Sequence, residues 1–544
     1  MIKMKNALLG IAGLALLITA CAEPVDTEET EVNQTGSKPN ILLVMVDDMG
    51  FSDIGAYGSE VQTPNLDRLA EQGMVFNQFR NTSKCWPTRA TLLTGQYAQR
   101  VGLSVSAESR HKNHATLGDV LQSVGYKTLM VGKHHAVDNP FDMGFDHYRG
   151  MRDGAANHFN PGLQREGEAF PAQKRQGQRV FCFDAECVQP YTPESMEYYT
   201  TDTFTDWALD LLGSHESEND EQPFFLYLAY TAPHDPIQAW PKDIAKYDGH
   251  YDVGYEVIAK ARYERQLDLG IISADTHPRS EPMHRSWEEL SPEEKTDQAR
   301  AMAVYSAMID SVDQNLGRVL THLEETGELD NTLIMFLSDN GASAEIVENG
   351  DGEIGAVDRW ASVGGHWANV SNVPFKSYKN STFEGGVETP FIVYWPEVIA
   401  QRSPVNESSG HLVDIMATLV DITGATYPET MRGETVGPMD GISLLPAFQG
   451  GTVERDKPVF FQWAQSKAVI DGHWKLVVHE LRPRDIEEGL WDFSTSDWEL
   501  YDLSTDRTEI SNLVESNPEK FAELRDKYEA WWTEVEPEVV QPDE

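Results

Sequence analysis

Basic residues are scarce in this chain. Among 544 residues, 43 Lys and Arg stand against 88 Asp and Glu, a formal net charge of −45. A surface this acidic repels the phosphates of nucleic acid and of anionic lipid, which argues against a DNA or RNA partner. It also requires that any site for an anion be locally basic. Cysteine is nearly absent, with single residues at 21, 85, 182 and 187, so each needs its own explanation. The apolar run 7–20, which follows Lys3 and Lys5, falls short of the roughly 20 residues that span a bilayer as a helix and reads as an export signal. No long internal repeat is evident. What remains is ample for a globular protein: 40% hydrophobic residues and 13 Trp, in a chain long enough for one large domain and a smaller one.

Short continuous apolar runs at 41–46, 128–131, 224–230, 333–337 and 391–395 have the character of strands buried on both faces. Helix-like segments at 63–76, 116–124, 196–212 and 301–326 lie between them. This alternation predicts an α/β fold, a large and mostly parallel sheet sandwiched by helices. Four of the runs end in polar groups: Asp47-Asp48, Lys133-His134-His135, Pro233-His234 and Asp339-Asn340. Ligands of open α/β sheets bind beyond the carboxyl ends of the strands, so these endings mark one candidate site. From residue 456 the pattern changes to a hairpin-like pair around Asp471-Gly472, a further strand near Leu500 and a helix over 518–534, which predicts a small α+β subdomain with an antiparallel sheet. The expected organisation is a signal (1–20), a disordered acidic tether (21–38), a catalytic domain (39–455) and a C-terminal subdomain (456–544). Segments 154–193 and 250–294 read as insertions over the site edge.

Asp47, Asp48, Asp339 and Asn340 offer only oxygen ligands, which suits a hard divalent cation and argues against zinc. Cys85 opens the run Cys85-Trp86-Pro87-Thr88-Arg89-Ala90-Thr91-Leu92-Leu93-Thr94-Gly95, with Pro at +2 and Arg at +4. By residue usage, a chance C-x-P-x-R in a chain of this length is on the order of one in a hundred. The run resembles the signature of the formylglycine-dependent sulfatases, of alkaline-phosphatase-like fold. Gly132-Lys133-His134-His135, Pro233-His234-Asp235-Pro236 and the Asp-Asp and Asp-Asn pairs match further motifs of that family, and Glu499-Leu500-Tyr501-Asp502-Leu503 resembles its C-terminal part. One departure is Glu388, in Glu384-Gly385-Gly386-Val387-Glu388-Thr389-Pro390, where Arg is common. It puts a local anion contact from that position in doubt.

The resemblance implies a sulfuric ester hydrolase. Cys85 becomes formylglycine (3-oxoalanine) through a maturation enzyme, and Asp47, Asp48, residue 85, Asp339 and Asn340 hold Ca2+, or Mg2+. Arg89 steadies the aldehyde hydrate and Asp339 activates it. Lys133 and Lys379 stabilise sulfate oxygens, His234 serves the leaving oxygen, and His135 takes the proton that releases sulfate. The implied substrate is a sulfated glycan or a small aryl sulfate. Alternatives are a phosphonate or phosphate ester hydrolase of the same superfamily, or a non-catalytic lipoprotein that binds sulfated glycans. Leu17-Ile18-Thr19-Ala20-Cys21 resembles a bacterial lipoprotein signal, with lipid on Cys21 anchoring the chain to a membrane in the periplasm or at the outer membrane of a Gram-negative cell; an ordinary cleaved signal is the alternative. In that oxidising compartment Cys182 and Cys187 either close a small disulfide loop or stay free.

Overall fold

Alternate residues of the first strand, β1 (Asn40–Asp47), serve two different cores. Leu42, Val44 and Val46 join one cluster, Ile41, Leu43 and Met45 join another, and none of the six reaches solvent. A strand sends successive side chains to opposite faces, so an unbroken apolar run needs a helical layer on each side. The helices Pro64–Gln72, Thr200–Glu218 and Pro292–Thr326 cover the first face, while Cys85–Thr94, Leu117–Gln122 and Asp414–Thr423 cover the second. The computed structural model describes residues 38–174, 177–218, 221–280, 285–399, 405–480, 495 and 497–535. The expected signal over 1–20, Cys21 and the expected tether up to residue 37 lie outside the described residues.

The remaining strands are β2 (Met74–Phe76), β3 (Phe79–Arg80), β4 (Lys127–Gly132), β5 (His147–Met151), β6 (Phe181–Phe183), β7 (Glu186–Val188), β8 (Phe224–Pro233), β9 (Thr332–Ser338), β10 (Phe391–Tyr394), β11 (Gly410–His411), β12 (Thr430–Met431), β13 (Glu434–Thr435), β14 (Val459–Trp463), β15 (Ser466–Asp471), β16 (Trp474–Val478) and β17 (Glu499–Asp502). Nine form one sheet in the order β2-β10-β9-β1-β8-β4-β5-β6-β7. Its centre, β9-β1-β8-β4-β5, is parallel, and both edges are antiparallel. Because β9, β1, β8 and β4 are neighbours running the same way, their four polar endings emerge on one edge of the sheet. At the far edge Cys182 and Cys187 face each other across the β6–β7 hairpin and are disulfide-bonded.

The C-terminal part is an antiparallel sheet, β14-β15-β16-β17, packed through Val469, Leu476 and Leu500 on Leu524, Tyr528 and Trp531 of the helix Pro518–Val535. Three local expectations need correction. The helix expected over 63–76 stops at Gln72, where Gly73 leaves helical geometry and Met-Val-Phe becomes edge strand β2. The helix expected from 301 starts at Pro292, set by a Ser291–Glu294 capping box. The hairpin loop is Gly472-His473 rather than Asp471-Gly472, since Asp471 still pairs with Trp474 and the positive φ falls on Gly472. Among the described residues, no helix is long and apolar enough to cross a membrane.

Candidate active site

β1 delivers Asp47 and Asp48 to the sheet edge, both buried, with Asp48 in the left-handed region at φ 65°. A non-glycine residue there is strained by roughly 1–3 kcal/mol. His135 (φ 65°) and Ser83 (φ 64°) show the same conformation beside two other motifs. β9 delivers Asp339 and Asn340, and the two pairs interlock. The Asp48 N–H donates to Asp339 Oδ1 at 3.2 Å, and Asn340 Nδ2 donates to Asp48 Oδ1 at 2.6 Å. β4 ends at Gly132 (φ 107°), where a Cβ would lie 1.9 Å from the Ala229 carbonyl oxygen of β8. Only glycine lets the chain turn there and place Lys133, whose Nζ donates to Asp47 Oδ2 at 2.5 Å.

Cys85 is the first residue of the helix Cys85–Thr94, so its side chain sits at a helix N-terminus, a favourable place for an anion. Arg89, one turn on, donates twice to Asp339 Oδ2, at 2.7 and 3.0 Å, and to the Lys133 carbonyl at 2.9 Å. Lys379 Nζ donates to Asp48 Oδ2 at 2.8 Å, and His234 Nε2 lies 3.5 Å from that same oxygen. On the other side of the His234 ring, Nδ1 is 2.8 Å from Asp235 Oδ1. A cavity of about 140 Å³ opens over this cluster, and Cys85, His135, His234 and Lys379 are in its wall. Arg89 and Lys133 are not in the wall; they are committed to Asp339 and Asp47 beneath it.

Electrostatics follow from burial and pairing. Burial, and then Asp339, raise the Asp47 carboxyl above its ordinary range. Burial also works against ionisation of Asp339, yet Arg89 and Lys133 outweigh it and hold that carboxyl below the usual range. Burial pushes the Cys85 thiol up. Burial and then Lys133 push His135 well below the ordinary imidazole range, while Asp48 outweighs burial and raises His234.

The donor set fits a divalent cation. Asp47 Oδ1 and Asn340 Oδ1 are buried with no hydrogen-bond partner. Ligand atoms of Asp47, Cys85 and Asp339 lie within 4.8 Å of one another, as do those of Asp47, Asp48 and His234. Two unsatisfied buried oxygens beside several carboxylates are costly unless a cation joins them. The structure thus brings Asp47, Asp48, Cys85, Arg89, Lys133, His135, His234, Asp339, Asn340 and Lys379 into one cluster.

Sequence reasoning passed over several neighbours. Asp235, inside the Pro-His-Asp-Pro motif, orients His234 and also accepts from Ser362 Oγ at 2.7 Å and Trp360 Nε1 at 3.2 Å. Lys84 and Glu345 flank the cavity, and nothing in their spacing points to it. Segment 154–193 does reach the cavity, through Gly154, Ala155 and Lys174, whereas none of the described residues of 250–294 lines it. The helix Tyr255–Leu269 from that second segment packs instead on Gly364–Ser371. Glu388 is remote from anion binding: it is fully buried and paired with Arg80 at 3.2 Å and Arg507 at 3.3 Å.

The Sulfatase family model matches residues 39–425, and a model described as N-sulphoglucosamine sulphohydrolase, C-terminal, matches 377–535. An uncharacterized sulfatase of Schizosaccharomyces pombe is 31% identical over 93% of this chain and 95% of its own. An arylsulfatase of Klebsiella aerogenes is 32% identical over 75% of this chain and 91% of its own. Among solved structures, Ps i-CgsB in complex with k-i-k-neocarrahexaose matches with a TM-score of 0.63 at 23% identity, covering 91% of this chain and 93% of that one, a likeness of fold. The chain belongs to the sulfatase family and is a sulfuric ester hydrolase.

Proposed function

We propose that the chain removes sulfate from a sulfated carbohydrate or aryl sulfate in the cavity above residue 85, with Cys85 converted to formylglycine by a maturation enzyme. The observation that carries this reading is the position of Cys85 at a helix N-terminus, buried among Asp47, Asp339, Lys133 and Lys379. Burial disfavours the thiolate there, so an unmodified thiol is a poor nucleophile. The hydrated aldehyde supplies one oxygen to attack sulfur and a second whose deprotonation expels sulfate. Asp47, Asp48, Asp339 and Asn340, with residue 85, would hold Ca2+ or Mg2+, which supplies positive charge to the sulfate oxygens and orients the nucleophile.

The chain's own groups divide the remaining work. Asp339, ionised and fixed by Arg89, is placed to take a proton at position 85. Lys379 faces the cavity and adds charge for sulfate oxygens, while Lys133 fixes Asp47. His234, oriented by Asp235, presents Nε2 toward the leaving oxygen. His135, held neutral, is the base for the release step. The leader sequence supports export with a lipid on Cys21, in the periplasm or at the outer membrane of a Gram-negative cell.

The test is mass spectrometry of the peptide bearing position 85 from protein made with a maturation enzyme, together with rates on nitrophenyl sulfate, nitrophenyl phosphate and a phenyl phosphonate ester. The expected result is an aldehyde at 85 and fastest turnover of the sulfate. An intact thiol with full activity, or faster phosphoester turnover, overturns the reading.

A further inference from the structure

One carboxylate on the cavity wall has no place in the cation set and does not orient His234. Glu345 follows Asn340 by five residues and lines the cavity with Lys84, Trp86, Lys174 and Lys379. Lys84 Nζ donates to its Oε1 at 3.1 Å, and Oε2 has no partner among the described residues. Although burial works against the charge, Lys379 and Lys84 hold the carboxyl well below its ordinary range, so it stays ionised. Lys84 is itself pinned, with Nζ 5.4 Å and 5.6 Å from the ring centroids of Trp86 and Trp463, which meet edge to face at 4.6 Å.

A fixed negative charge beside a sulfate site weakens the pull on the anion, so its presence calls for a ligand group that needs it. An ionised carboxylate can only accept hydrogen bonds. Aryl sulfates offer no donor beside the ester oxygen, whereas a sugar offers hydroxyls on the neighbouring carbons. Trp86 adds an apolar ring to the same wall, and its Nε1 is a buried donor without an acceptor among the described residues. A carboxylate and an indole together suit the hydroxyls and the C–H face of a pyranose.

We propose that Glu345 is a specificity-determining residue that accepts hydrogen bonds from hydroxyls flanking the sulfated carbon, which makes a monosulfated sugar the preferred substrate over a bare aryl sulfate or a sugar with a second sulfate beside the first. The inference rests on the sulfate ester hydrolysis proposed above and names its substrate class. A neighbouring sulfate would meet Oε2 as a like charge, so the same residue disfavours it.

The test compares wild-type, Glu345→Ala and Glu345→Gln enzymes, each with the aldehyde confirmed, on monosulfated monosaccharides, a vicinally disulfated one and nitrophenyl sulfate. For the best monosulfated sugar, Glu345→Ala lowers kcat/KM by about 10- to 100-fold more than for nitrophenyl sulfate, the range for losing a hydrogen bond to a charged acceptor. Glu345→Gln recovers part of the sugar rate and raises the disulfated-to-monosulfated ratio. Equal losses on sugar and aryl substrates, or no loss on either, overturn the inference. Wild-type enzyme that turns over nitrophenyl sulfate but no sulfated sugar overturns it and leaves the sulfatase reading standing. Aldehyde-bearing enzyme inactive on every sulfate ester overturns both.

Discussion

Lys475 and Glu384 form an ion pair at 2.7 Å with neither side chain exposed to water. Lys475 is on β16 of the C-terminal sheet, and Glu384 opens the turn that follows Lys379. Glu509 Oε1 lies 2.8 Å from the same Nζ, Arg80 donates to Glu384 at 2.6 Å, and Arg507 and Arg80 flank Glu388. Three basic side chains and three acidic ones thus meet in one buried network. It joins the C-terminal sheet to the loop that carries a cavity lysine.

Removing one member leaves unpaired charge out of water, which typically costs about 3–5 kcal/mol. Lys475→Met therefore lowers the stability of the fold by that order, read as a fall in denaturation midpoint. An unchanged midpoint would show that the network is not held as a closed set.

Glu388 gives the network a pH dependence. Burial lifts its carboxyl to about 8, against the pull of Arg80. A folded-state value above the unfolded one means that the native state binds the extra proton, so this stability is fully present below the unfolded value and is lost as pH rises through about 8. Glu388→Gln keeps the shape of the protonated acid and removes the ionisation. Between pH 5 and 9 its stability falls less than that of wild type, by an amount on the order of a few kcal/mol. Parallel curves for the two proteins would sink the assignment.

The central sheet was legible because buried parallel strands are continuous apolar runs, and four such runs ended in ionisable groups. Topology then brought Asp47, Lys133, His234 and Asp339 together without further information. Edge strands were not legible: β2 is three residues long, and its apolar residues extend the pattern of the helix that ends at Gln72, just before Gly73. Glu345 and Lys84 were missed for a related reason. Their pairing spans 261 residues and depends on where two loops lie, which no local period encodes. Glu388 read as a departure from the family pattern because its partners Arg80 and Arg507 are distant in sequence.

Asp235 fixes the His234 ring through Nδ1, and His234 keeps its carboxyl at about 2 against the effect of burial. Asp235→Asn should lower kcat by about 10- to 100-fold, a fraction of what a general acid contributes. The loss should be larger on a sugar sulfate than on nitrophenyl sulfate, because an alkoxide needs the proton more than a nitrophenolate does. A loss independent of the leaving group would place Asp235 in folding alone.

The two orphaned oxygens, Asp47 Oδ1 and Asn340 Oδ1, make cation binding a measurable part of folding. A ligand that binds only the native state stabilises it by about 2.7 kcal/mol at a hundredfold excess over Kd. Calcium should therefore raise the melting temperature of the wild-type protein and leave Asn340→Ala with a much smaller rise. Burial and Asp339 raise the Asp47 carboxyl to about 6, so protons compete with the cation below that pH. Calorimetric affinity for calcium should weaken by up to about tenfold for each further pH unit of acidification, since binding must displace that proton. Affinity that stays constant from pH 7 to pH 5 would remove Asp47 from the ligand set.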